Sequence, residues 1–225
     1  LTNTAVDITG ALVRLEGGSL LLSGGVKVTG GSLAADTLVS TDGLGNALAI
    51  GGTALDLTNT TVTLGALARE PVGSTDTVAV NLGLNQAALR LSSSALTLTD
   101  VNDTVLGLGA DVGPVPTIPG VGVIAGGTPA APSTLNLKGT LLELSRLNAT
   151  ATQPMVQLDQ TTVNQTETVN ALISVLVPTG LTSTMAGPLL SVTNSAINTG
   201  GILAHLSGGV LTSSTTTPFL FVHPS

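Results

Sequence analysis

The side chains that could take part in chemistry are few and widely separated in this chain. The only two histidines are His205 and His223, and they lack the close spacing of paired metal ligands. Serine is abundant, yet no G-x-S-x-G nucleophile motif occurs, and no histidine is placed to act as a base. The sequence therefore predicts no catalytic residue, no histidine metal centre and no cofactor. Both histidines are interpreted as surface residues.

One short segment carries oxygen ligands of the kind that calcium accepts. TDVNDT, residues 99–104, contains Asp100, Asn102 and Asp103, and Ca²⁺ binds carboxylate and amide oxygens. Asp and Asn are also common in turns, because their side chains hydrogen-bond to nearby backbone groups. A turn is the preferred interpretation of this segment, and a calcium site is the alternative.

Four asparagines lie in N-x-[ST] triplets, the acceptor pattern for N-glycosylation: Asn59, Asn102, Asn148 and Asn164. In a chain this rich in Asn and Thr, several such triplets are expected from composition alone. They become candidate glycosylation sites only in a host that glycosylates secreted proteins, and we then expect them on turns.

The composition narrows the classes of protein and partner. The 225 residues are 42% hydrophobic but only 8% charged, with a net charge of −7, which is unlike a disordered chain. No basic stripe and no aromatic platform are present, so a nucleic-acid partner is excluded. The absence of cysteine excludes disulfides. No apolar run is long enough for a membrane span, and the chain, opening on Leu1, is expected to have been processed or cut from a longer one.

The sequence repeats itself at a fixed distance. Residues 46–64, NALAIGGTALDLTNTTVTL, match residues 80–98, VNLGLNQAALRLSSSALTL, so that Leu55 falls on Leu89 at an offset of 34. The same offset relates QPMVQLDQTTVN from 153 to GPLLSVTNSAIN from 187. A looser copy at 12–28 is offset by about 35. Fixed-period self-similarity indicates a repeat architecture.

Within this period lies a smaller unit of alternating apolar residues followed by a turn. Its later copies begin at Pro154, Ala171, Pro188, Ile202 and Pro218. Alternation over so few residues predicts a strand, and one variable residue in each unit points away from its aliphatic neighbours. These outward positions are Arg14, Asp56, Arg90, Glu143, Gln157, Ser174, Ser191 and His205. The pattern predicts an all-β solenoid of short Leu/Val strands with Gly/Ser/Thr/Asn turns, each coil stacking on the next.

These repeats, over 6–105 and 135–222, resemble the β-strand-repeat surface proteins of bacteria, such as autotransporter passengers and filamentous-haemagglutinin-type exoproteins. The resemblance implies a right-handed parallel β-helix, an extracellular or cell-surface location and a role as stalk, adhesin or fibre. Turns in that family usually use fewer than 34 residues. The period therefore leaves two interpretations open, two short coils of about 17 residues or one long coil.

A segment rich in Pro and Gly interrupts the repeat at 111–134, DVGPVPTIPGVGVIAGGTPAAPST. Because proline cannot donate to a strand ladder, the segment is predicted to be a loop or extended arm between two solenoid segments, 1–110 and 135–225. An ordinary surface loop is the first interpretation. The alternative is an arm that clasps a neighbouring subunit through Val115, Ile118, Val121 and Val123.

The final PFLFV, Pro218, Phe219, Leu220, Phe221 and Val222, matches PLLSV at 188, and it holds both aromatic residues of the chain. Neither this strand nor the stretch after Leu1 carries a polar cap, so both are predicted assembly surfaces. The first functional hypothesis is an extracellular structural protein whose copies assemble end to end into a filament or surface layer. An adhesin stalk excerpted from a longer repeat protein, with surface glycans as partner, is the alternative. A polysaccharide-acting enzyme is a distant third, because carboxylates are not clustered and aromatic platforms are missing.

Overall fold

The computed structural model describes residues 1–69, 77–99, 104–110, 113–214 and 216–223. Within these ranges the chain forms β-strands and no helix, so it has no helix that could cross a membrane. The strands are β1 (Thr2–Leu15), β2 (Ser19–Leu22), β3 (Val26–Thr41), β4 (Ala47–Gly51), β5 (Leu55–Thr58), β6 (Thr61–Arg69), β7 (Thr77–Asn81), β8 (Ala87–Ser92), β9 (Ala95–Leu98), β10 (Leu106–Leu108), β11 (Thr117–Ile118), β12 (Val121–Gly126), β13 (Ser133–Leu137), β14 (Leu142–Leu144), β15 (Asn148–Ala149), β16 (Val156–Asp159), β17 (Thr161–Gln165), β18 (Ala171–Met185), β19 (Leu190–Thr193), β20 (Ala196–Thr199), β21 (Ile202–Ser213) and β22 (Leu220–His223).

The named strands pair in parallel and wind into a solenoid of about seven turns. The first face is a ladder of seven strands in the order β3-β5-β8-β12-β16-β19-β22. The second face runs β3-β6-β9-β13-β17-β20, with β1 pairing to β3. The third face consists of two sheets, β2-β4-β7 and β10-β14-β18-β21, the latter extended by β11 and β15. The predicted parallel β-solenoid is thereby confirmed.

The interior is filled by aliphatic side chains that alternate with outward polar ones. On β5, Leu55 and Leu57 are fully buried, while Asp56 between them is half-exposed. The pattern recurs one coil later, where Leu89 and Leu91 flank Arg90. Burying one leucine side chain contributes roughly 1.5–3 kcal/mol to folding. A continuous column of buried leucines is thus the main source of stability, as expected for stacked repeats.

The corner between the first and second faces is built the same way in coil after coil. Its first residue adopts a left-handed backbone conformation, at Asn59 (φ 50°), Ser93 (φ 48°), Gln160 (φ 50°) and Asn194 (φ 49°). The next residue is always Ser or Thr, and its hydroxyl points into the stack. The Ser94 hydroxyl accepts a hydrogen bond from the Thr60 N–H at 3.3 Å and donates to the Ser92 carbonyl at 2.8 Å. Each corner is therefore bonded to the coil below it.

The register settles the length of a coil. Leu55 pairs with Leu89, and Val156 pairs with Leu190, so the offset of 34 residues is one coil. The 17-residue units are not separate short coils. The unit from Pro154 forms a first-face strand and the unit from Ala171 forms a third-face strand of the same coil. The long-coil interpretation is correct.

Two details of the predicted alignment are wrong. Leu48 pairs with Val78 and not with Leu82, because the later coil has a longer turn, around Leu84 and Asn85, between its third and first faces. In the first coil, Leu20 pairs with Leu48, an offset of 28 rather than about 35. Turn length thus varies between coils, while strand pairing stays in register.

The prediction that 111–134 is entirely loop or arm is also wrong. Residues Val121–Gly126 form β12, which lies between β8 and β16 in the middle of the first face. The prolines flank this strand rather than interrupting it, so every ladder N–H within it is available. Val121 and Val123 are fully buried in the core and cannot clasp a neighbour. Ile118 pairs with Ala149 in the third face, and only Val115 of the four candidates is exposed.

We expect Ser94→Ala to lower the free energy of unfolding by about 1–3 kcal/mol, because it leaves the buried Thr60 N–H without an acceptor. Chemical denaturation followed by far-UV circular dichroism measures the change. Ser92→Ala, at an exposed position two residues earlier, is the control and should be close to neutral. Equal effects of the two substitutions would show that the corner hydroxyl contributes nothing specific.

Candidate functional site

The last described coil presents a continuous open edge. Among the described residues, β20 pairs only with β17, β21 only with β18, and β22 only with β19. An unpaired strand edge carries free N–H and C=O groups and can template pairing with another strand. We call this surface, formed by β20, β21 and β22, the terminal edge.

Two side chains of the terminal edge occupy positions that are buried in the preceding coil. Leu220 pairs with Leu190 and Val222 pairs with Val192. Leu190 and Val192 are 0% and 3% exposed, whereas Leu220 and Val222 are 42% and 59% exposed. The same inward positions are therefore closed by a following coil in one case and open in the other.

The remaining predicted interface residues lie at the two ends of the solenoid. Phe221 points outward beside Ser191 and is exposed, with its ring centroid 6.3 Å from that of His223. Phe219 packs against the core, and Pro218 is exposed. At the opposite end Leu1 is 45% exposed, and its ammonium group donates to the Lys27 carbonyl at 2.9 Å. The alignment of the tail with the repeat, made from sequence, is confirmed by this register.

Charge is absent from the part of the chain that builds the terminal edge. Glu167 is the last Asp, Glu, Lys or Arg, so residues 168–225 carry none. The ion pairs Arg14–Glu16 and Lys27–Asp56, at 2.7 and 3.6 Å, lie on earlier coils. Charged side chains are a common protection of exposed strand edges against association. The terminal edge lacks that protection.

An asparagine ladder runs along the second face, and sequence reasoning missed it. The Asn164 side-chain N–H donates to Asn136 Oδ1 at 2.8 Å, and Asn198 donates to Asn164 Oδ1 at 2.8 Å. Asn136 in turn donates to Thr97 Oγ1 at 3.2 Å. The signal in the sequence was the match of Asn164 with Asn198 at the repeat offset. These bonds tie the outward surfaces of four successive coils together.

The four candidate glycosylation asparagines occupy different environments. Asn59 is exposed at a left-handed corner. Asn148 Oδ1 accepts a hydrogen bond from Thr184 Oγ1 at 2.6 Å, and Asn164 is held in the asparagine ladder. Asn102, together with the calcium candidates Asp100 and Asp103, lies outside the described residues.

The two histidines are on the surface, as predicted. His205 lies on β21 and His223 on β22, and both are exposed. In the part of the chain that the structure describes, no three His, Cys, Asp or Glu side chains come close enough together to hold a metal ion.

Comparison of the chain with protein-family models, with curated proteins and with solved structures finds no match in any of the three. The functional argument therefore depends on the geometry of the terminal edge and of the outward faces.

We expect Asn164→Ala to lower the free energy of unfolding by about 1–2 kcal/mol, because it removes two amide hydrogen bonds of the ladder. Thr162→Ala, a neighbouring half-exposed position on the same strand, serves as the control and should change stability less. Urea denaturation of both variants gives the comparison. A smaller effect of Asn164→Ala than of the control would show that the ladder does not stabilise the stack.

Proposed function

We propose that this protein is an extracellular structural protein, a β-solenoid protomer whose copies assemble end to end into a surface filament or layer. The terminal edge of one copy receives the first coil of the next. The observation that carries the proposal is the exposure of Leu220 and Val222 at inward positions of the stack. A further coil would bury both side chains, as Leu190 and Val192 are buried now.

The energetics favour such stacking. A solenoid coil is stable mainly through the interface with its neighbour, and removing apolar surface from water contributes roughly 25 cal/mol per Å². Other exposed aliphatics of the same coil, Ile202, Leu206 and Val210 on β21, would add to the buried area. With no charge in the last 58 residues, 168–225, contact involves no desolvation of an ionised Asp, Glu, Lys or Arg on this side.

The strand directions also suit an open assembly. All named strand pairs are parallel, so the first coil of a second copy, led by β1, can continue the ladder in the same direction. Among the described residues β1 pairs with β3 alone, which leaves its other edge open. A head-to-tail contact between different surfaces that does not close into a ring produces a filament.

An adhesin stalk is the second candidate. In a longer repeat protein, the next coil of the same chain would cover the terminal edge, and the exposed positions of Leu220 and Val222 fit that arrangement equally well. The resemblance to bacterial surface repeats supports this alternative, and the cysteine-free, hydroxyl-rich composition suits an extracellular location in both cases.

We expect Val222→Lys to weaken self-association strongly, because stacking would bury an unpaired charge. Phe221→Ser, which replaces the outward ring by the residue found one coil earlier, should weaken it less. Both positions are exposed in the single chain, so the unfolding transition should change little. Sedimentation velocity over a wide concentration range, with electron microscopy of the same samples, measures assembly.

Leu44→Ser is the matched control, since Leu44 is an equally exposed aliphatic on a turn of an earlier coil. It should assemble like the unmodified chain. A chain that stays monomeric at every concentration and forms no fibres would overturn self-assembly and leave the stalk as the better explanation. Loss of assembly in the control as well would show that the terminal edge is not the contact.

A further inference from the structure

A polar groove of about 470 Å³ opens on the third face, away from β22 and the first face. Strands β14, β18 and β21 form its floor, and the turn that precedes β18 forms its wall. The residues that line it are Thr104, Thr140, Glu143, Val169, Asn170, Ala171, Ser174, Leu176, Ile202 and His205. Its size is in the range of small-molecule sites.

The floor of the groove is a column of three different polar side chains. Glu143 pairs with Ser174, and Ser174 pairs with His205, so the three lie at the same outward position of successive coils. Neighbouring strands are about 4.8 Å apart. The column therefore presents a carboxylate, a hydroxyl and an imidazole at regular intervals along one line. Thr104 Oγ1 donates to Glu143 Oε2 at 3.3 Å and adds a further hydroxyl at the rim.

Two hydroxyls in the groove are buried without a partner. Ser174 and Thr140 are 8% and 9% exposed, and within the described structure neither side chain makes a hydrogen bond. A buried hydroxyl that gives up water without gaining a partner destabilises the fold. The exposed remainder of both side chains faces the groove, since both line it. A ligand that donates to or accepts from these oxygens would remove the deficit.

The wall of the groove is fixed in place before any ligand arrives. The buried side chain of Gln165 donates from Nε2 to the Gly139 carbonyl at 2.8 Å and to the Asn170 carbonyl at 3.3 Å. Thr199 Oγ1 donates to Gln165 Oε1 at 2.5 Å. These bonds join three successive coils around the turn that carries Val169 and Asn170. A preorganised wall reduces the entropy lost when a ligand binds.

The chemistry of the lining selects the class of ligand. Glu143 is the only Asp, Glu, Lys or Arg among the lining residues, so no cationic side chain is present to clamp a phosphate or carboxylate. Hydroxyls, one amide and one carboxylate offer both donors and acceptors. The aliphatic side chains of Val169, Leu176 and Ile202 offer apolar surface beside them. That combination matches a molecule with many hydroxyls and apolar C–H faces.

We propose that this groove binds a short neutral saccharide. Its hydroxyl groups would hydrogen-bond to Ser174 and Thr140 in the floor and to the Glu143 carboxylate, while a ring face packs on Val169 and Ile202. The site holds a ligand and does not cleave it. Ser174 lies between Glu143 and His205, so the carboxylate cannot orient the imidazole as in a Ser-His-acid triad, and glycoside hydrolysis needs a second carboxylate.

The test is binding of neutral sugars to the full chain, measured by saturation-transfer NMR and by isothermal titration. The probes are glucose, galactose, mannose, N-acetylglucosamine, cellobiose, lactose and chitobiose. At least one should bind, and Ser174→Ala should weaken its binding by about tenfold, the effect of one lost hydrogen bond in the site. The same variant should be as stable as the unmodified chain or more stable, because the hydroxyl that it removes has no partner.

Ser191→Ala is the matched control, since Ser191 takes the corresponding outward position on the first face, and it should bind sugar normally. Absence of binding for every probe would overturn the proposal. So would binding that Ser174→Ala leaves unchanged. Zn²⁺ and Ca²⁺ are titrated alone as well, and metal binding without sugar binding would reassign the groove to a cation. Ser174→Ala should self-associate like the unmodified chain, so this result and that for the terminal edge are separable.

Discussion

The fold depends on one corner, where a left-handed residue is followed by a buried hydroxyl. The left-handed residue turns the chain sharply from the first face to the second, and Asn is among the few residues that adopt this conformation readily. The hydroxyl, at Ser94 for example, then replaces water for a backbone N–H of the adjacent coil. Without that partner each corner would bury an unsatisfied polar group in every coil. The aliphatic core can stack only because these corners are satisfied.

Once the corners fix the path of the chain, inside and outside have separate tasks. Inward positions are almost uniformly Leu and Val and supply stability. Outward positions are free to vary, and they form a salt bridge at Lys27 and Asp56, an amide ladder at Asn164, and the groove floor around Ser174. Function in a solenoid is accordingly a property of columns that cross coils rather than of short motifs along the chain.

This arrangement explains what could be predicted from the sequence. The first face keeps one spacing, so the match of Leu55 with Leu89 gave the correct pairing. The third face does not. Glu143 to Ser174 and Ser174 to His205 are pairs 31 residues apart, because the intervening turns differ in length. A period of 34 would not have aligned them, so the groove was invisible in the sequence. The strand at 121–126 was missed because its flanking prolines were taken to exclude pairing along the whole segment.

The near-constant spacing of the first face has a consequence for how such a chain can change in length. Removing residues 156–189 would bring Leu190 to the position that Val156 holds beside Val123, with every inward and outward side chain still on its own side. Removing an odd number of residues from within a strand would instead exchange the two sides. Insertions and deletions of whole coils are therefore the tolerated ones, and the length of the molecule is set in steps of one strand spacing, about 4.8 Å.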